Sequence, residues 1–162
     1  MFSSKAKARE LSNLKATLRA LDQSQAVIEF RLDGTITTAN ENFLTALGYS
    51  LEEIQGRHHS MFVEEKDRKG DDYRRFWEAL NRGEFQAAEY KRMGKNGKEV
   101  WIQASYNPIK DADGKPYKVV KFATDVTERK LRGADTQGQI DAIGRSQAVI
   151  HFNLDGTIIT AN

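Results

Sequence analysis

Residues 24–40 read SQAVIEFRLDGTITTAN, and residues 146–162 read SQAVIHFNLDGTIITAN. This internal repeat constrains the chain more than any other feature. The copies differ at Glu29/His151, Arg31/Asn153 and Thr37/Ile159. Extended chains alternate side chains between two faces, so Ile28, Phe30 and Leu32 share one face and Glu29 and Arg31 the other. The apolar face is kept while the changes fall opposite it. At the same offset Leu18, Ala20 and Leu21 meet Ile140, Ala142 and Ile143, so the repeat includes the helical approach to the strand. One unit therefore spans about 120 residues, close to a common domain size, and a second unit begins at residue 146.

Of 162 residues, 30% are charged and 39% hydrophobic, which suits a globular domain. The 25 basic residues nearly balance the 23 acidic ones, so no global field draws the chain to nucleic acid. The absence of cysteine excludes disulfides, thiolate catalysis and cysteine-based zinc sites. No apolar run suggests a membrane span or secretion signal, and the cytoplasm is the expected location. No paired carboxylates, nucleophile elbow or P-loop is present, so an enzyme is not expected.

Leu11, Leu14, Leu18 and Leu21 form a helical stripe, and residues 4–21 are read as an amphipathic helix. The stripe is either a short coiled-coil seam between two chains or a cover for the following domain. Two strands flank the Asp33-Gly34 turn, and Asn40 caps a helix closed by Gly48. Ser50 and Glu53 stand at capping-box spacing. Tyr73, Phe76, Trp77 and Leu80 mark the clearest helix, which begins at Asp71-Asp72 and ends by Gly83. Residues 84–92, 98–109 and 116–126 then read as strands, with Val100, Ile102, Ala104 and Tyr106 on one face of the middle one. The pattern is α+β with an antiparallel sheet. Residues 128–145 read as a helical linker. Lys91, Arg92, Lys95 and Lys98 read as a solvated basic hairpin, because no interleaved aromatics or phosphate-cradling glycines accompany them.

The run LDGTITTANENFLTALGYSLEEIQGRHHSMF, followed by YRRFWEALNRGEF and KNGKEVWIQASYNPIKDADGKPYKVVKFATDVTERK, resembles a PAS domain with its C-terminal PAC motif over roughly residues 22–130. HHSMF and FWEALNRGEF are similar to segments of PAS domains in bacterial methyl-accepting chemotaxis receptors, aerotaxis receptors among them. The resemblance implies a PAS fold: a five-stranded antiparallel sheet with helices on one face, here preceded by an N-terminal amphipathic helix. It divides the chain into an N-terminal helix (1–21), a PAS domain (22–127), a helical linker (128–145) and the start of a second, truncated PAS domain (146–162). The expected role is a sensory input domain feeding a downstream signalling domain and the chemotaxis machinery, with a homodimer formed through the N-terminal helix. Residues 125–130 are expected to couple the last strand to the linker, with Asp125 either transmitting the signal or serving the fold alone.

PAS pockets hold flavin, haem, a small molecule or nothing. Light sensing through a cysteine–flavin adduct is excluded, since His59 occupies the matching position and Ala123 stands where that class carries a glutamine. His58 and His59 have three readings: one packs under the helix and hydrogen-bonds to backbone while the other faces solvent, one hydrogen-bonds a flavin, or one ligates haem iron. The long helix carries no histidine, which weighs against haem. Trp77 is either core or, by the likeness of WEALNRGE to the aerotaxis segment, a flavin contact. The expected cofactor is FAD, lined by Trp77, His58 or His59, and a sheet wall of Ile102, Ala104 and Tyr106, with Arg57 as a candidate for its phosphates. The alternatives are a haem gas sensor, or a cofactor-free dimerisation module that feeds a kinase or cyclic-nucleotide enzyme.

Overall fold

The computed structural model describes residues 4–146, 150–152 and 158–161. These divide into two units, one through Val126 and one from Thr127 onward. The first begins with helix α1 (Ser4–Ser24) and contains strands β1 (Ala26–Phe30), β2 (Ile36–Ala39), β3 (Gln86–Met93), β4 (Glu99–Lys110) and β5 (Pro116–Asp125). They pair antiparallel in the order β2-β1-β5-β4-β3. Helices α2 (Glu41–Leu47), α3 (Leu51–Ile54), α4 (Glu65–Arg68) and α5 (Asp71–Asn81) fall between β2 and β3. Their apolar residues Phe43, Leu44, Leu47, Ile54 and Leu80 join Ile28, Phe30, Val100, Ile102, Ala104, Tyr106, Val119 and Ala123 in one core. This is the expected α+β fold, sheet and N-terminal helix included.

Period and turn chemistry explain most of it. Inward residues of β4 alternate with more exposed ones, as a half-buried strand requires. The β1–β2 turn is closed by Gly34 at φ 85° and by the Thr35 amide donating to Asp33 Oδ1 at 2.8 Å. Gly48 ends α2 in the left-handed conformation, and the Ser50 amide donates to Glu53 Oε2 at 2.9 Å to complete the capping box of α3.

Asn40 joins three elements. Its Oδ1 accepts from the Phe43 amide at 3.0 Å, capping α2, and from the Val27 amide of β1 at 2.9 Å. Its Nδ2 donates to the Asp22 carbonyl at the end of α1 and to the Gln25 carbonyl. Leu11, Leu14 and Leu18 of α1 remain 53, 55 and 61% exposed, so the helix does not bury its stripe in this chain. Leu18 and Leu21 line a groove with Val27, Ile109, Tyr117, Val120 and Phe122 of the sheet.

In the second unit, α6 spans Thr127–Ser146, and β6 (Ile150–Phe152) pairs with β7 (Ile158–Ala161). Ile150 meets Ala161 and Phe152 meets Ile158, as Ile28 meets Ala39 and Phe30 meets Ile36 in the first copy. Both pairs shift register at the corresponding step, Glu29/Phe30 and His151/Phe152. The repeated sequence thus encodes its pairing locally. The turn of the second copy, residues 153–157, lies outside the described residues.

Asn40→Ala removes the α2 cap and the β1 contact together, and should lower unfolding stability by about 2 kcal/mol, at the upper end for a lost N-cap. Urea denaturation followed by circular dichroism measures it.

Candidate functional site

The segment before the 3-10 turn His59–Phe62 runs along the hairpin. The Ile36 amide donates to the Arg57 carbonyl at 2.8 Å, and the His59 amide to the Gly34 carbonyl at 2.8 Å. This short bridge places the two histidines on opposite sides. His58 lies exposed against the turn, where a Cβ on Gly34 would come 2.4 Å from its Nε2. Its Nδ1 accepts from the Ser60 amide at 3.1 Å, which leaves Nε2 to donate to the Asp33 carbonyl at 2.9 Å. His58 fastens the segment to the hairpin.

His59 points inward and is fully buried. Six aromatic rings surround it: Phe30, Phe62, Tyr73, Phe76, Trp77 and Tyr106, with centroids 5.3 to 6.3 Å away. Its Nδ1 pairs with the Tyr73 hydroxyl at 2.9 Å and its Nε2 with the Tyr106 hydroxyl at 3.0 Å. Burial, then the nearby Arg92 and Lys121 charges, hold its pKa well below the ordinary 6.5, so it is neutral, one nitrogen donating and the other accepting. One histidine is thus buried and one exposed, but the buried one bonds two phenols rather than backbone. Both nitrogens of each are engaged, so a haem ligand would have to surrender a hydrogen bond.

Lys121 and Arg92 are the functional candidates that the sequence reading missed. Lys121 on β5 faces Tyr106 on β4 in register and is 1% exposed, with its Nζ 4.8 Å from the Tyr106 ring centroid and 5.3 Å from that of Phe43. Arg92, read as part of a solvated hairpin, is instead 8% exposed. Alternation along β3 turns Tyr90 and Arg92 to the inner face, and the guanidinium lies over Tyr90 at 4.5 Å and donates to the Tyr106 hydroxyl at 3.2 Å. Lys121 was legible in the same way, since it sits between the inward residues Val119 and Ala123.

Burial and these charges together set the titration of the interior. Burial pushes the Tyr73 and Tyr90 phenols up to about 12. Burial also raises Tyr106, but Lys121 and Arg92, by charge and hydrogen bond, outweigh it and leave this phenol below its ordinary 10.0. Burial in turn lowers Lys121.

Of the expected lining, Ile102, Ala104 and Tyr106 form the inner sheet face, and Trp77 packs edge-on against Phe30, His59 and Phe76. Arg57 is exposed. Beside this cluster a cleft of about 420 Å³ opens between α4–α5 and β3, with Tyr73, Phe76, Tyr90, Lys91 and Arg92 in its lining. Among the described residues two buried donors have no acceptor: Trp77 Nε1 and Arg92 Nε. The indole weighs on the Tyr73 phenol, lowering its pKa against burial, without closing a hydrogen bond of good geometry. An unpaired donor in the lining of an aromatic-walled cleft fits a planar ligand rich in acceptors, and the isoalloxazine ring is one such group. Among the described residues no cluster of His, Asp and Glu could hold a metal ion, and no helix is long and apolar enough to cross a membrane.

The family model described as "PAS fold" matches residues 36–123. The chain is 45% identical over 145 residues to the biofilm dispersion protein BdlA of Pseudomonas aeruginosa, which covers 90% of this chain and 35% of that protein. It is 29% identical over 123 residues to the aerotaxis receptor of Escherichia coli, covering 76% of this chain and 24% of the receptor. The chain therefore spans about a third and a quarter of these relatives. A light–oxygen–voltage domain studied with a flavin analogue superposes with a TM-score of 0.60 at 23% identity, covering 78% of this chain and 96% of that one, a likeness of fold.

Unfolding returns the His59 imidazole to water, where it binds a proton near 6.5, whereas the folded site binds none until lower pH. Stability is therefore fully present above that value and lost as pH falls below it. His59→Gln should flatten this loss, as read by denaturation midpoints across the acid range.

Proposed function

This chain belongs to the PAS-fold family, and from that premise we propose that it is the sensory input module of a chemotaxis-type signal transducer that acts in the cytoplasm and reads redox state or oxygen through bound FAD. The observation that carries the reading is Arg92 Nε, a buried donor left without an acceptor in the lining of the aromatic cleft, with Trp77 Nε1 likewise unpaired on the ring that packs against Phe76 of that lining. An unsatisfied buried donor costs about 1–3 kcal/mol, so a ligand offering acceptors there would be bound by removing that penalty. Trp77, Tyr73, Phe76, Tyr90 and Arg92 would hold the ring, with neutral His59 and the wall of Ile102, Ala104 and Tyr106 behind them. The flavin would supply reversible redox chemistry. The chain's own part is to exclude water with its aromatic shell, keep His59 unprotonated and aim the donors. The likeness of WEALNRGE to the tryptophan segment of aerotaxis receptors supports the same choice. Phosphates would find Lys91 and Arg92 at the cleft rather than Arg57.

A second role rests on a different observation. The exposed leucines of α1 favour pairing with a second copy, which would present paired modules to a downstream signalling domain.

The purified protein should show flavin absorption. Trp77→Ala should lower bound flavin several-fold while the domain still unfolds cooperatively. If that variant instead lost about 3–5 kcal/mol of stability with flavin occupancy per folded molecule unchanged, Trp77 would be core packing alone. A haem absorption band in the wild type, abolished by His59→Ala, would replace the flavin reading.

A further inference from the structure

The interior buries two cations and no carboxylate: among the described residues the buried charged groups are Lys121 at 1% and Arg92 at 8% exposure, beside neutral His59. Isolated buried charges are unfavourable unless paired, and buried Arg and Lys ordinarily face a carboxylate. Here the partners are a phenol and aromatic faces: Arg92 Nη2 donates to Tyr106 at 3.2 Å, its guanidinium covers Tyr90, and Lys121 lies over Tyr106 and Phe43. Arg92 Nη1 donates to the Lys91 carbonyl at 3.0 Å, and Nε stays unpaired. The carboxylates around the cleft do not relieve this. Of the four carboxylates in its lining, Glu64 is taken by Lys91 at 2.7 Å and Lys66 at 3.2 Å, Asp71 by Arg74 at 3.1 Å, and Asp67 and Asp72 are exposed to solvent. The same two cations hold the Tyr106 phenol below its ordinary range and, after burial, add to the lowering of His59.

We propose that the cleft between α4–α5 and β3 is a site for a planar anion, a carboxylate on an aromatic ring or an equivalent delocalised anionic edge, with Arg92 as its direct contact and Lys121 acting through Tyr106. The planar shape follows from the walls, Tyr73, Phe76 and Tyr90, and the charge from the cations behind them. The inference rests on the reading that this cleft is the ligand site, but not on which ring fills it. Lys121 is a positioning residue: its ammonium biases the Tyr106 hydroxyl, which Arg92 shares.

Benzoate and benzamide present the same ring with and without the charge. In the flavin-free fraction of the purified protein, benzoate should raise the thermal unfolding midpoint in a saturable way, and benzamide should not. Arg92→Gln should weaken benzoate binding about tenfold or more, the loss of one charge-assisted contact. Lys121→Met, which keeps length without charge, should weaken it less and leave the unliganded midpoint equal to or above that of the wild type. An equal response to both compounds, a response to neither, or a benzoate affinity unchanged in Arg92→Gln and Lys121→Met would overturn the proposal. An absorption spectrum of the same preparation separates the two readings. Absent flavin with charge-selective binding removes the flavin and keeps the anion site, whereas bound flavin with no charge selectivity does the reverse.

Discussion

The Tyr106 hydroxyl is the junction on which the interior depends. It bonds His59 on one side and Arg92 on the other, while Lys121 lies against its ring from the neighbouring strand. Each buried ion costs several kcal/mol to desolvate, so a polar group must meet them inside. A phenol does this without adding a permanent negative charge, and the two cations, outweighing burial, lower its pKa by favouring the phenolate. The six rings around His59 seal the junction from water, which strengthens every interaction within it.

That junction is assembled from distant parts of the sequence by the sheet register. Tyr106 stands opposite Lys121, while Arg92, whose backbone pairs with Val100, reaches the same phenol through its long side chain. His59 arrives separately, carried by a segment that pairs with the edge of the first hairpin. Gly34 permits this approach, because any side chain there would strike the His58 ring. The same hairpin is the part of the sequence that recurs at residues 146–162, and its copy pairs in the same register.

The elements governed by local chemistry were legible in the sequence. Asn40, Gly48 and the Ser50–Glu53 box announce their caps, and alternation from Val100 to Tyr106 announces the wall. Trp77 and the histidine pair were singled out in the sequence, though spacing could not choose between His58 and His59 or say that His59 would bond two phenols from α5 and β4. Arg92 was misread because three other basic residues surround it. On β3 only period-two alternation separates the inward guanidinium from its solvated neighbours. Arg57 was favoured for closeness in sequence to the histidines, but its side chain is exposed. Lys91 and Arg92, distant in sequence, reach the cleft instead.

The account stands on a neutral His59 bonded at both nitrogens inside an electropositive interior. Nitrogen-15 chemical shifts of the His59 ring, followed from about pH 8 to about pH 6, test this most directly. The prediction is two unequal nitrogen signals, one protonated and one accepting, that hold their positions throughout this range. A His59 ring that gains a proton with a midpoint at or above 6.5 would contradict it, since neither burial nor the Arg92 and Lys121 charges would then be acting on this site.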